Sequence, residues 1–326
     1  MSGGIIMAFD GITVSAITHE LQETLTGGRI AKIAQPEADE LLLTIKSSKG
    51  QRRLYISASA SLPLIYLTDE NKPSPMTAPN FCMLLRKHVG NGKITGISQP
   101  GLERIIMMDI EHLDELGDLR KKRLIIEIMG KHSNIIFCDE QGMIIDSIKH
   151  VSAQMSSVRE VLPGRKYFIP DTMQKHDPLS TDEDIFKEAL KTKPMPVSKA
   201  IYTSFTGISP VVAEEICYLA GLDSRIPASE LDTDILTHLY RQFTYYLDEI
   251  RQKDYRPVIY YKDRTPVEFN AVKLSHYENY EQESFDSISK VLSTYYATRN
   301  TITRIRQKSA DLRHVVQTAL ERNHKK

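Results

Sequence analysis

A glycine followed by Lys131, His132, Ser133 and Asn134 separates two apolar runs, and this arrangement constrains the fold more than any other stretch of the chain. Leu124, Ile125, Ile126 and Ile128 read as a largely buried strand. Ile135, Ile136 and Phe137 read as its return, ending at the turn Asp139-Glu140-Gln141-Gly142. The four loop side chains offer a fixed positive charge, a titratable ring, a hydroxyl and an amide, a set suited to phosphate and ribose. Taken alone, such a loop is more often a polar hairpin.

The rest of the chain supplies the elements such strands need. Val14, Ile17, Leu21 and Leu25 recur at helical spacing, and Gly27-Gly28 then stops the helix. A meander is predicted over 29–34, 40–46 and 52–57, with turns at Gln35-Pro36 and Ser48-Lys49-Gly50. Pro73, Pro75 and Pro79 make 71–80 a loop. A helix then begins, with Phe81, Leu84, Leu85 and His88 or Val89 on one face and Arg86 and Lys87 on the other. Strands follow over 93–99, 104–111, 123–129, 135–138 and 143–149. Most alternate poorly, which points to burial on both faces or to a tightly curved, barrel-like sheet. After Tyr167-Phe168-Ile169-Pro170 the signal turns helical from 184 to about 250, then returns to a hairpin over 257–272. The order of elements is that of an α+β protein. In the final charged helix, Ile302, Ile305, Leu312, Val316 and Leu320 fall near heptad spacing. This stripe wants a partner, so the chain is expected to be a fragment in which a coiled coil is cut at Lys325-Lys326.

Composition bears mainly on what to exclude. Lys+Arg 42 against Asp+Glu 42 gives zero net charge, so a nucleic-acid site must be a local patch. Cys82, Cys138 and Cys217 are far apart and show no CxxC pair, which suggests reduced thiols in the cytoplasm. No apolar run approaches the roughly 20 residues of a membrane span, and the start lacks the features of a signal peptide. Gly130-Lys131-His132-Ser133 lacks the earlier glycine of a phosphate-binding loop, and a strand follows it instead of a helix. The histidines and cysteines show no zinc spacing. Neither a metal nor a cofactor is expected, and nothing demands an enzyme.

Nucleic-acid binding fares better. The segment from Ile201 through Gly207, Ile208, Ser209 and Pro210 to Ala213 has the pattern of a helix-hairpin-helix. Gly207 allows the tight turn and Pro210 starts the second helix, whose free N–H groups would favour a phosphate. A simple helical corner is the other reading. Ser209 stands where such hairpins usually carry a second glycine. Basic groups at Arg52-Arg53, Arg86-Lys87-His88, Arg120-Lys121-Lys122-Arg123 and Arg165-Lys166 are each a solvated face when taken singly. If several converge near Lys131, they form a patch for structured RNA, and Lys131, His132, Arg86 and Arg104 are expected to share one positive surface.

Four segments together resemble the N-terminal half of the NFACT family. They are Ala8-Phe9-Asp10-Gly11; Thr77-Ala78-Pro79-Asn80-Phe81-Cys82-Met83-Leu84-Leu85-Arg86-Lys87-His88; residues 127–136; and Leu162-Pro163-Gly164-Arg165-Lys166-Tyr167. The resemblance implies an NFACT-N domain over 1–175, itself resembling the N-terminal domain of formamidopyrimidine-type DNA glycosylases. It also implies an all-α helix-hairpin-helix domain over 176–252, a hairpin returning to the first domain over 253–285, and the base of a truncated coiled coil over 286–326. Family members act in ribosome-associated quality control. They bind a large ribosomal subunit that still holds peptidyl-tRNA and recruit a charged tRNA, alanine-accepting in bacteria. The ribosome then extends the stalled chain without mRNA, and the tail marks it for degradation. The resemblance thus implies a cytoplasmic protein that positions tRNA and performs no catalysis itself. It implies tRNA binding at Asp10 and at the acidic-Arg pair Glu103-Arg104, where most members carry Asp at the first position. A forked guanidinium at Arg104 suits phosphate or a base edge, and the neighbouring acid would fix the fork. The RNA or ribosome contacts expected elsewhere are Arg86, Lys87, His88, Lys131, His132, Ser133, Asn134, Gly207 and Ser209. Two alternatives remain. One is a fibronectin-binding adhesin, after the family's older name; the other is a glycosylase-like enzyme, for which no N-terminal nucleophile is evident.

Overall fold

The structure is a computed structural model that describes residues 9–171 and 174–324, with residues 303 and 304 described through their backbone alone. The start read for a signal peptide, and Ala8 of the first family-like segment, lie outside the described residues.

Helix α1 (Gly11–Leu25) begins at Asp10, whose Oδ1 accepts from Thr13 N at 2.8 Å. Ile12, Val14, Ile17, Leu21 and Leu25 are all fully buried, so α1 is a core helix. Around it run β1 (Arg29–Ala34), β2 (Glu40–Ser47), β3 (Gly50–Ser57), β4 (Leu64–Thr68), β5 (Lys93–Ser98), β6 (Ile105–Leu113), β7 (Leu119–Glu127), β8 (Asn134–Cys138) and β9 (Ile144–Ser147). Among the described residues these form one sheet in the order β4-β3-β2-β1-β5-β6-β7-β8-β9, antiparallel throughout. Two meanders meet at a thin seam, the single register pair Arg29↔Lys93 of β1 and β5. Both seam strands shift register, at Ile30/Lys32 and at Ile94/Gly96, and such bulges add twist. The sheet curls until β4 from one half and β5 and β6 from the other all touch α1. Of the two readings of the poor alternation, the curved sheet matches this curl, whereas β1 and β5 keep exposed positions between their buried ones. Helix α2 (Asn80–Val89) packs on β1 and β6.

Four helices follow: α3 (Glu183–Lys191), α4 (Val197–Ser204), α5 (Pro210–Leu219) and α6 (Thr233–Arg251). Asp182 caps α3 by accepting from Ile185 N, and Asp232 caps α6 by accepting from Ile235 N. Phe186, Phe205 and Phe243 hold this layer together, with ring centroids 4.9 to 5.6 Å apart.

The expected hairpin is β10 (Val258–Lys262) with β11 (Thr265–Asn270), and β12 (Glu281–Ser284) joins on the other side of β10. This small sheet touches two regions. Asn270 Nδ2 donates to Tyr246 OH of α6 at 3.0 Å, and in the connection from β11 to β12 His276 N donates to Glu215 of α5 at 3.1 Å. Phe269 lies against Tyr295 and Tyr296 of the long helix α7 (Ile288–His324). Helix α7 in turn packs on β4 and α1, where the Ser289 hydroxyl accepts from Leu67 N at 2.9 Å. Beyond that anchorage Ile305, Leu312, Val316 and Leu320 are exposed. No helix among the described residues is long and apolar enough to cross a membrane.

Candidate functional site

The loop between β5 and β6 is fixed by close backbone packing. Gln99 Nε2 donates to Gly11 O at 2.9 Å and to Glu103 O at 2.8 Å. Gly11 N donates to Gly207 O at 3.0 Å. A Cβ on Gly11 would lie 2.0 Å from Leu102 O, and one on Gly207 would lie 2.2 Å from the same oxygen. Gly207 also sits at φ +78°, where a side chain is strained. The start of α1, the 99–104 loop and the α4–α5 turn therefore meet at a point where only glycine fits.

This contact corrects the expectation for the α4–α5 turn. Pro210 does start α5 and Gly207 does make the turn and borders the neighbouring cleft, but Ser209 at the start of α5 faces inward. Ser209 is 5% exposed and donates its hydroxyl to Asp10 Oδ2 at 2.6 Å. The electropositive end of α5 is thus met by a carboxylate of the protein itself, where a phosphate had been expected. Asp10, also 5% exposed, has both oxygens engaged and stands behind the neighbouring cleft, outside its lining. Burial outweighs those hydrogen bonds and raises its pKa above the ordinary carboxylate value.

The cleft beside this contact encloses about 520 Å³, and Glu103, Arg104, Met129, Asp171, Lys175 and Thr206 are among its lining. Arg104 is half-buried, and among the described residues its guanidinium makes no hydrogen bond or salt bridge. Its backbone is held, since Ile128 N donates to Arg104 O at 2.9 Å. Burial lowers its pKa, while Asp10 and Glu103 act at longer range to raise it. Burial raises the Glu103 carboxyl, opposed by Arg104 and reinforced by Asp171 and Asp177. Lys175 was not singled out in the sequence. Its pKa is lowered by burial first and then by Arg104, and its Nζ donates to Tyr202 O at 3.0 Å. A cleft with two cations free of ion pairs among the described residues, next to carboxylates, can take a ligand that carries both phosphate oxygens and amino donors.

The glycine loop lies close by. Gly130 and Arg104 border the same small hollow, together with Phe9 and Tyr296. Lys131 and His132 are exposed on a short 3-10 turn, Gly130–His132. Ser133 and Asn134 are not available as ligands. Ser133 Oγ accepts from Met129 N at 2.8 Å. Asn134 Oδ1 accepts from Ile135 N and Lys149 N, and its Nδ2 donates to Lys149 O. Both are buried and shape the loop.

The single positive surface does not form. The His88 ring lies 6.5 Å from that of His112, Lys87 Nζ is 3.8 Å from Glu115, and Arg86 Nε donates to Ile33 O at 2.9 Å. His112 sits near the far end of β6 from Arg104, about 27 Å away at ~3.4 Å per residue. Arg86, Lys87 and His88 therefore belong to the other end of the sheet.

A buried ion pair sets one wall of the cleft. Glu127, fully buried at the end of β7, accepts from Arg159 Nη2 and from Tyr167 OH, the latter at 2.8 Å. Arg159 also donates to Phe168 O at 2.7 Å. The pair pins the segment leading to Ile169, Pro170 and Asp171, which line the cleft. A lone acid inside the run Leu124-Ile125-Ile126-Glu127-Ile128 was the signal for it.

Comparison with known proteins places this geometry. The model for the NFACT N-terminal and middle domains matches residues 10–326. The chain is 34% identical over 325 residues to the protein named Rqc2 homolog RqcH in Bacillus subtilis, covering 98% of this chain and 54% of that one. It spans about half the length of the curated relatives it matches. Among solved structures, the N-terminal part of the fibronectin/fibrinogen-binding protein from Streptococcus suis superposes with TM-score 0.72 at 32% identity, over 89% of this chain and 99% of that one. The fibrinogen binding protein from Staphylococcus aureus gives TM-score 0.74 at 28% identity, with the same coverage.

Proposed function

Because the chain belongs to the NFACT family, we propose that it serves ribosome-associated quality control as the tRNA-positioning part of a longer protein. On this reading the full protein binds a large ribosomal subunit that carries stalled peptidyl-tRNA, and it recruits alanine-accepting tRNA. The ribosome then adds a C-terminal alanine tail without mRNA, and the tail marks the chain for degradation in the cytoplasm. The protein supplies no catalytic group. The observation that carries the reading is Arg104, a half-buried guanidinium without an ion pair among the described residues, in a cleft large enough for a nucleotide. Glu103 orients that fork or accepts from an amino group, Lys175 adds a second cation, and Lys131 and His132 extend the RNA contact over the adjoining surface. Asp10 supports the cleft from behind. Residues 1–175 and 176–252 act as two domains that share the cleft, and 286–326 begin a coiled coil.

The test is a reconstitution with the full-length protein, purified large subunits bearing peptidyl-tRNA, and labelled tRNA. tRNA should sediment with the complex and dissociate steeply with salt, as phosphate contacts require. A complex that forms without tRNA, or whose tRNA content ignores salt, overturns the reading. A second reading, fibronectin binding, is supported by the name of the Streptococcus suis structure. Immobilised fibronectin tests it directly.

A further inference from the structure

The turn joining β6 to β7 carries three leucines with nothing over them. Leu113, Leu116 and Leu119 are 68%, 86% and 59% exposed. Leu113 and Leu119 are opposite each other across the two strands, so their side chains leave the same face. Leu116 sits at the apex between them. The tip is stiff: Asp114 Oδ1 accepts from Leu116 N and from Asp118 N, each at 2.9 Å, while Oδ2 accepts from Arg120 Nε at 2.9 Å. Gly117, at φ +83°, donates its N–H to Asp114 O at 3.0 Å. Singly exposed leucines are ordinary, but three on one rigid turn make an apolar tip of the sort that marks an interaction site.

The charge at the apex selects the partner. Asp114, Glu115 and Asp118 lie between the outer leucines, with no cation among them. Asp114 is paired with Arg120, and Glu115 meets Lys87 only at 3.8 Å with both side chains mostly exposed. Asp118 makes no salt bridge among the described residues. An acidic apex is repelled by RNA phosphates and by anionic lipid. We propose that this tip is a docking finger for a protein surface on the large ribosomal subunit, an apolar pocket rimmed by Lys and Arg. The proposal rests on the functional reading above. The finger is at the opposite end of β6 from Arg104, so it anchors the protein and leaves the cleft open.

The experiment uses the full-length protein and purified large subunits. The variant Leu113→Ser/Leu116→Ser/Leu119→Ser should keep its melting temperature and its tRNA binding, since these side chains have no core to lose. Its affinity for the subunit should fall about tenfold or more. Glu115→Lys with Asp118→Lys should weaken subunit binding too, because it reverses the charge facing the basic rim. Undiminished subunit binding by the triple-serine variant overturns the proposal. Stronger binding by the lysine variant also overturns it, since the finger would then face RNA. A wild-type dimer in sedimentation velocity that the serine variant abolishes assigns the tip to a second copy and overturns it likewise. If wild-type protein does not bind subunits at all, the functional reading itself fails, a result distinct from the failure of the finger alone.

Discussion

Arg104 and Gly207 show how single residues make this site. An arginine loses hydration in a half-buried position, and here the charges of Asp10 and Glu103 oppose that loss. A guanidinium held in this way is prepared for an anionic ligand. Gly207 acts through the backbone, and the sequence reading identified its turn while misjudging what the turn meets. Gly207→Ala forces a side chain onto Leu102 O at positive φ. It should cost about 2–4 kcal/mol of stability, measured by urea unfolding. A loss below the error of that measurement would show that the three-way contact can relax. Lys175 could not have been found from sequence: it lies in a stretch without periodicity, and only the folded chain sets it near Arg104.

At the scale of elements, apolar runs and turn residues located most strands and helices. Two strands escaped. β4 is five residues between a Ser-rich bend and a Pro-rich loop, and β12 is Glu281-Gln282-Glu283-Ser284, exposed at every position and paired with β10. Pairing of that kind leaves no hydrophobic pattern to read. Polar residues in the glycine loop misled for the converse reason, because Ser133 and Asn134 satisfy the loop's own backbone. The pair Glu127–Arg159 should behave as a structural unit. Arg159→Ala leaves a buried carboxylate without its counter-charge and should destabilise by about 3–5 kcal/mol. Arg159→Met combined with Glu127→Gln should cost much less than the two single changes added together. Strict additivity in a double-mutant cycle would refute the coupling.

For the whole molecule, zero net charge conceals a division of labour along the curved sheet. One end holds the cleft, Lys131 and His132; the other holds the basic face of α2 and the leucine-tipped turn. The expectation of one convergent basic patch failed because sequence order says nothing about which end of a nine-stranded sheet a helix will cover. The hairpin over 257–272 was expected to join the first domain, and its contacts run to Val211 of α5 and Tyr246 of α6 as well as to α7. The family resemblance, and no periodicity, singled out Glu103-Arg104, and both side chains border the cleft. The most direct test is C-terminal tail length on a stalled reporter in cells whose full-length protein carries Arg104→Ala. The account predicts untailed product, with large-subunit binding and melting temperature unchanged, and poor rescue by Arg104→Lys because an ammonium cannot reproduce the guanidinium fork. Tails of normal length from the Arg104→Ala protein would contradict it.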